Sequence, residues 1–391
     1  MRDAVIVSGL RTPIGKAPRG TLNAVRADDL GGLVIREAIA RAPGLEPGEV
    51  EDVVMGCAFP EAEQGWNVAR LCCALAGLPP SVSAMTVNRF CSSGLQAIAI
   101  AAQQVQSGVV EVCVAGGLES MSRVYSNFRM APNPDLMARA PAHYMAMGHT
   151  AEEVARRFGV GREEQDAFGF ESHKRAAAAI QSGRFAEETV PVCFERHELD
   201  GGRPVARSVS FERDEGVRFD ANLESMAKLR PAFGTSGTVT AGNSSQMSDG
   251  AAAVVVMSAD RADRLGLKPK ALFRGFATAG CEPEVMGIGP ALAVPKLLKQ
   301  TGVRLEDVDL IELNEAFASQ SLAVIGQLGL DRARVNVNGG AIALGHPLGA
   351  TGARQTVTIM HEASRRRARY GIVTMCIGGG MGAAGLYEFV N

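Results

Sequence analysis

The chain has 391 residues, 46% of them apolar and only 5% aromatic, so it can bury a large core built from Val, Ile, Leu and Ala, as α/β proteins do. A formal net charge of -2, with both signs mixed along the chain, leaves no electrostatic footprint for nucleic acid or an anionic membrane. Phosphate recognition must then be local.

Val5 to Leu10 reads as a strand, not a secretory signal, and the longest apolar stretch, Ala251 to Ala259, is too short to span a bilayer. Eight cysteines without a Cys-x-x-Cys pair or clustered histidines argue against a disulfide scaffold or zinc site, and the expectation is reduced thiols in the cytoplasm. Cys57, Cys113 and Cys281, in apolar strand-like segments, read as small buried hydrophobes.

Taken in chain order, the two ends repeat one another. Glu51 to Phe59 matches Glu306 to Phe317 with three inserted residues. Downstream of each comes Val-Asn and then a glycine-rich loop: Val87-Asn88 before Cys91, Val337-Asn338 before His346. Each loop opens a helix-like run, Ser92 to Ser107 and Ala350 to Arg367, and each run feeds an apolar strand, Val110 to Gly117 and Gly371 to Gly380. Strand, crossover helix, strand predicts a parallel sheet covered by helices, so each half should be one α/β unit. Two such halves about a pseudo-twofold axis would gather their loops outside the carboxyl ends of the strands.

Between the repeats, charged and Met-containing sequence with short helix signals runs from Glu119 to Gln246. We expect an inserted loop domain that folds over the mouth of the site. The expected organisation is 1–118 with 247–270 as the N-terminal half, 119–246 as the insertion and 271–391 as the C-terminal half.

Three loops carry candidate chemistry. Cys91 falls in the first turn of its helix, where free backbone amides and the helix dipole should lower the thiol pKa toward neutrality and could hold an oxyanion. His346, framed by Gly345 and Pro347, offers a fixed imidazole to take the thiol proton. The histidines at 143, 149, 173, 197 and 361 have no such framing and read as surface or packing residues. Cys376 stands where a strand breaks into Gly378-Gly379-Gly380, amides suited to a second anion pocket, and as a thiolate it could serve as base toward an α-carbon. Asn314 is a candidate donor to an enolate oxygen, direct or through water, while Glu315 can equally be a local cap or packing partner.

The strings Asn88 to Ala97 around Cys91, Asn314-Glu315-Ala316-Phe317, Asn338 to Pro347 around His346, and Cys376 to Gly382 occur in that order and resemble the four motifs of the thiolase family over essentially the whole chain. The resemblance implies the duplicated layered thiolase fold and a ping-pong acyl transfer to or from coenzyme A. In it Cys91 carries the acyl group, His346 activates Cys91, and Cys376 shuttles the α-proton. One oxyanion pocket would be formed by His346 with a water on Asn314, the other by the amides of Cys91 and Gly378. It also implies that Arg218 and Ser245 contact coenzyme A, and that Met147, Phe233, Ala241, Met286 and Phe317 line the pantetheine and acyl pocket. Coenzyme A and acyl-CoA enter as substrates, no metal or permanently bound cofactor is implied, and a homodimer or homotetramer is expected, with a tetramerisation loop near Tyr125 to Met137.

One departure concerns specificity: many short-chain biosynthetic members carry His where this chain has Ala146, before Met147-Gly148. The smaller residue leaves room for longer or branched acyl groups. Ketoacyl synthases share the duplicated fold, but they use two histidines, or His and Asn, in place of a second cysteine. A carrier or scaffold without turnover would show damage in at least one of the four loops, and none is damaged.

Overall fold

The computed structural model describes residues 2–124 and 131–390. Its main sheet repeats one pairing order in each half. In the first, strands run Ser83–Val87, Asp52–Gly56, Val112–Ser120, Ser248–Ser258, Ala4–Arg11; in the second, Leu310–Leu313, Tyr370–Ile377, Met381–Phe389, Ala271–Gly280. The counterpart of Ser83–Val87 shrinks to a bridge between Ile311 and Val335. The halves meet where Val5 pairs with Leu272 and Ile6 with Ala271.

Parallel pairing is confined to the outer strands of each half, where helices make the crossovers. The remaining strands run antiparallel. The reason is local in the second half: Gly379 and Gly380, at φ 83° and 89°, close a tight turn after Ile377, and so short a connection can join only antiparallel neighbours.

Alternation along the strands builds the layers. Val53 and Met55 face outward onto helices Ala27–Ala40 and Val68–Leu75, whereas Val54 faces inward. In the second half Ile372, Ala384 and Leu386 face the outer helices Gly289–Thr301 and Ala318–Leu328, while Val373, Met375 and Tyr387 face inward. The inward residues of both halves share one core with helices Ser93–Ser107 and Leu348–Arg366. Two central helices are thus flanked by sheet and then helices on either side.

The segment 119–246 holds helices Pro134–Arg139, Met147–Phe158, Arg162–Gln181 and Leu223–Ala227 and a hairpin of Val192–Asp200 with Arg203–Phe211. Helix Met147–Phe158 packs on Ala318–Leu328 and on the turn Pro283–Ile288, next to the strand ends that carry the candidate loops. Of the expected tetramerisation loop, residues 125–130 lie outside the described residues.

Candidate active site

The two central helices start side by side because glycine lets their backbones touch. A Cβ on Gly94 would lie 2.8 Å from the Gly349 oxygen, and one on Gly349 would lie 2.5 Å from the Leu118 oxygen and 2.8 Å from the Cys57 Cα. This approach sets the Cys91 loop of one half beside the His346 loop of the other.

Cys91 sits in a single 3₁₀ turn, Phe90–Ser92, ahead of the α-helix. Phe90 has φ 43°, a left-handed conformation that a bulky residue seldom adopts and that the surroundings must enforce. They do so through hydrogen bonds: Phe90 N–H donates to Asn88 Oδ1 at 2.8 Å, Asn88 Nδ2 to the Ala58 oxygen at 3.0 Å, and Ser93 Oγ to the Phe90 oxygen at 2.7 Å. The turn packs against strand Tyr370–Ile377, which carries Cys376 one residue before its end.

The expected lowering of the Cys91 pKa is corrected by its burial. Desolvation pushes the thiol up to about 12, although the amides of Gly378 and of Cys91 itself turn toward the sulfur and pull the other way. Cys91 therefore rests as a thiol and needs a base. Cys376, wholly buried, is pushed higher still, by desolvation first and then by the neighbouring Cys91.

His346 is held in place by its backbone and by its ring. Its amide donates to the Gln246 oxygen at 3.1 Å and to Ser248 Oγ at 3.0 Å. Thr351 Oγ1 donates its one proton to the Pro347 oxygen at 2.9 Å, so it accepts from His346 Nδ1–H at 2.6 Å. That bond fixes the tautomer and leaves Nε2 with its lone pair, 3.3 Å from Asn314 Nδ2. Burial and then the charge of Arg354 push the imidazole down to about 3, so it is neutral near pH 7. Asn314 follows strand Leu310–Leu313, its amide held by the Thr374 oxygen at 2.9 Å, and its buried Oδ1 has no hydrogen-bond partner among the described residues.

Glu315 is a packing partner. Its buried carboxylate accepts from Ser172 Oγ at 2.6 Å, Asn336 Nδ2 at 2.9 Å and the Ile342 amide at 3.2 Å, which braces the segment leading to His346. Glu119, Thr351 and Ser248 were not singled out from the sequence. Glu119 accepts from the amides of Ala58 at 2.9 Å and Gly349 at 2.8 Å and so fastens the start of helix Leu348–Arg366 to the loop after strand Asp52–Gly56. A carboxylate ending the apolar strand Val112–Ser120 was the available signal.

Met286 and Phe317 cluster with Cys376, Ala151 and Val239, and Met147 and Phe233 pack against them. Phe233 meets Phe317 edge-on, with ring centroids 6.2 Å apart. A Cβ on Gly378 would stand 3.3 Å from Met147 Sδ. Ser245 is half-buried, its amide bonded to the Ala316 oxygen at 3.0 Å. Ala241 and Arg218 are exposed and lie outside the cluster; the Arg218 amide donates to His173 Nδ1 at 3.1 Å.

A duplicated layered fold with two thiols and an imidazole on its strand-end loops defines a class, and the comparisons agree. Residues 4–260 match the family model "Thiolase, N-terminal domain" and residues 267–388 match "Thiolase, C-terminal domain". The chain is 55% identical, over 99% of its length and 100% of the relative's, to a 3-ketoacyl-CoA thiolase of Bacillus subtilis (strain 168). It is 47% identical to an acetyl-CoA acetyltransferase of Chromobacterium violaceum, with 98% of each chain covered. The crystal structure of the Bacillus anthracis acetyl-CoA acetyltransferase superposes with a TM-score of 0.91 at 42% identity, covering 100% of this chain and 99% of that one. The chain belongs to the thiolase family. It is an enzyme of the acyltransferase type.

Proposed function

We propose that this enzyme catalyses reversible, CoA-dependent cleavage of 3-ketoacyl-CoA, and the reverse Claisen condensation of acetyl-CoA with acyl-CoA, through an acyl group on Cys91. The carrying observation is that Cys91, held as a thiol by burial, lies on a turn packed against the helix that follows His346, a neutral imidazole whose tautomer Thr351 fixes. In thiolysis, Cys376 starts as a thiol and His346 takes the Cys91 proton. The Cys91 sulfur adds to the 3-keto carbon. The bond between C2 and C3 then breaks, leaving the acyl group on Cys91 and an acetyl-CoA enolate that is protonated by Cys376. Acetyl-CoA leaves, the Cys376 thiolate takes the proton of an incoming coenzyme A thiol, the coenzyme A sulfur attacks the acyl-Cys91 carbonyl, and the leaving Cys91 sulfur regains its proton from His346.

The amides of Cys91 and Gly378, both turned toward the sulfur, are suited to the oxyanion on the acyl carbon. The other oxyanion would be held by His346 with a water donating to it from Asn314, whose Oδ1 is free to accept that water's second proton. Coenzyme A would lie along the insertion 119–246, with Arg218 at the nucleotide, Ser245 at the pantetheine, and Met147, Phe233, Ala241, Met286 and Phe317 around the pantetheine and acyl portions. No metal or permanently bound cofactor enters this reading. We divide the chain into halves 1–118 with 247–270 and 271–391 around that insertion.

A homodimer or homotetramer fits the exposed edge of strand Ser83–Val87 and the neighbouring Trp66, 94% exposed, since an open apolar edge invites pairing. Among the described residues no helix is long and apolar enough to cross a membrane. A cytoplasmic site suits eight cysteines that all stand unpaired.

The test is the rate of thiolysis with coenzyme A across 3-ketoacyl-CoA substrates from short to long chains, followed by loss of the enolate absorbance. A maximum at any length supports the reading, and the position of that maximum assigns the chain length. No cleavage at any length, with coenzyme A still bound, would replace it with acyl-CoA binding alone.

A further inference from the structure

A buried arginine–glutamate contact lies between the strand that delivers Asn314 and the helix that follows His346. Arg354, 1% exposed on helix Leu348–Arg366, donates from Nη1 to Glu312 Oε2 at 3.3 Å. Glu312 stands two residues before Asn314 in the chain, and Arg354 stands three after Thr351, which holds His346 Nδ1. The helical i, i+3 spacing puts Thr351 and Arg354 on one face.

Stability alone explains this pair poorly. Elsewhere in the same core Arg11 is satisfied on every side, by Glu188 at 2.6 Å and by a fork onto Asp214 at 2.7 and 2.9 Å. Arg354 makes one long bond, and its Nε and Nη2 have no hydrogen-bond partner among the described residues. A buried charge so incompletely paired costs more than its contacts return, which is the condition under which a role other than stability is to be sought.

We propose that Arg354 is a positioning residue for the reaction, locking the Asn314 strand to the His346 helix through Glu312 and fixing one positive charge near the imidazole. The inference rests on the reading of His346 as the base that serves Cys91. A fixed cation there disfavours imidazolium and so keeps Nε2 able to accept a proton. Arg354 is also the charge that acts on His346 among the described residues, after burial itself. The charged groups facing Arg354 are Glu312 from strand Leu310–Leu313 and Glu315 just after it, Arg11 from strand Ala4–Arg11, Glu188, and Asp214. Glu312 in turn faces Glu188, Glu315 and Glu362.

The experiment uses the full chain labelled with ¹⁵N-histidine. The imidazole of His346 is assigned by its loss in His346→Asn and titrated in wild type, Arg354→Met, Arg354→Lys and Glu312→Gln, with kcat and KM for thiolysis of acetoacetyl-CoA measured on each. We expect His346 to stay neutral in wild type down to about pH 5. In Arg354→Met its titration should move upward by about one pH unit. There kcat should fall about ten- to a hundredfold, the loss expected of a misplaced catalytic group, with KM for coenzyme A little changed. Arg354→Lys keeps the charge and should keep the low titration while recovering only part of kcat, because the shorter ammonium side chain does not carry a donor to the place from which Nη1 reaches Glu312. Glu312→Gln should lower kcat without raising the titration. If Arg354→Met leaves the His346 titration in place, or if Glu312→Gln raises it, the proposal is overturned. Should Arg354→Met fail to fold, Arg354→Lys and Glu312→Gln decide by the same signs. Wild-type turnover in His346→Asn would instead refute the base reading itself.

Discussion

Asn314, just after strand Leu310–Leu313, and His346, just before helix Leu348–Arg366, meet at 3.3 Å, Nδ2 to Nε2, with the far side of the imidazole fixed by Thr351. The contact commits His346 to a neutral form with its lone pair directed toward the site. His346→Asn should therefore lower kcat by about 10²–10⁴-fold, the range for loss of a general acid–base group. Thr351→Val, which removes the acceptor for Nδ1–H and frees the tautomer, should cost a smaller part of that. Equal kcat in Thr351→Val and wild type would remove the tautomer argument.

The same burial has a consequence for stability. His346 is held at about 3 and His173 at about 4, against an ordinary 6.5. Between the folded and unfolded values the unfolded chain binds more protons, so these two groups make stability rise with pH up to about 6.5 and fall as pH drops toward 4 and 3. Urea midpoints measured across that window should show a shallower pH slope in His346→Gln/His173→Gln than in wild type. An unchanged slope would count against the lowered values.

The two thiols should separate by partial reaction. Cys91→Ala should abolish acyl-enzyme formation from acetyl-CoA, read by mass spectrometry of the intact protein. Cys376→Ala should still be acylated and yet lose condensation and thiolysis. Near-normal turnover in Cys376→Ala would sink the two-thiol mechanism.

Pocket size is tested from two sides. Gly378→Ala places a methyl 3.3 Å from Met147 Sδ, so it should reduce kcat/KM for long 3-ketoacyl chains more than for acetoacetyl-CoA. Ala146→His should narrow preference in the same direction. An unaltered chain-length profile in both would show that this wall does not limit the acyl group.

The join between the halves is expected to be intolerant of added bulk. Gly349→Ala forces a methyl to 2.5 Å from the Leu118 oxygen, and relief requires helix Leu348–Arg366 to move away from the strand ends of the first half. A loss of about 1–3 kcal/mol is expected for such overpacking. Thermal melting reads it directly, together with a fall in turnover as the Cys91 and His346 loops part; a melting temperature equal to wild type would show that the backbones yield without cost.

The duplicated pattern, the crossover helices and the residues Cys91, Asn314, His346 and Cys376 were legible in the sequence, because apolar periodicity and glycine-rich loops are local signals. Sheet direction was only half legible: the tight turn at Gly379 and Gly380 forces antiparallel pairing, and a run of glycines does not by itself reveal its φ angles. Glu119 was marked only by ending an apolar strand, and Arg354 not at all, because a charged residue carries no sign in the sequence of what it will face across the core.

By itself, then, the sequence determined the kinds of group available and the order of the elements that hold them. Their protonation was decided only by tertiary structure. The helix start at Cys91 promised a lowered thiol, and burial reversed the sign; the framing of His346 promised a fixed ring, but Thr351 set its tautomer and burial with Arg354 its neutral state. Desolvation and hydrogen bonding depend on what the folded chain brings around a group from far along the sequence, and no local pattern records that.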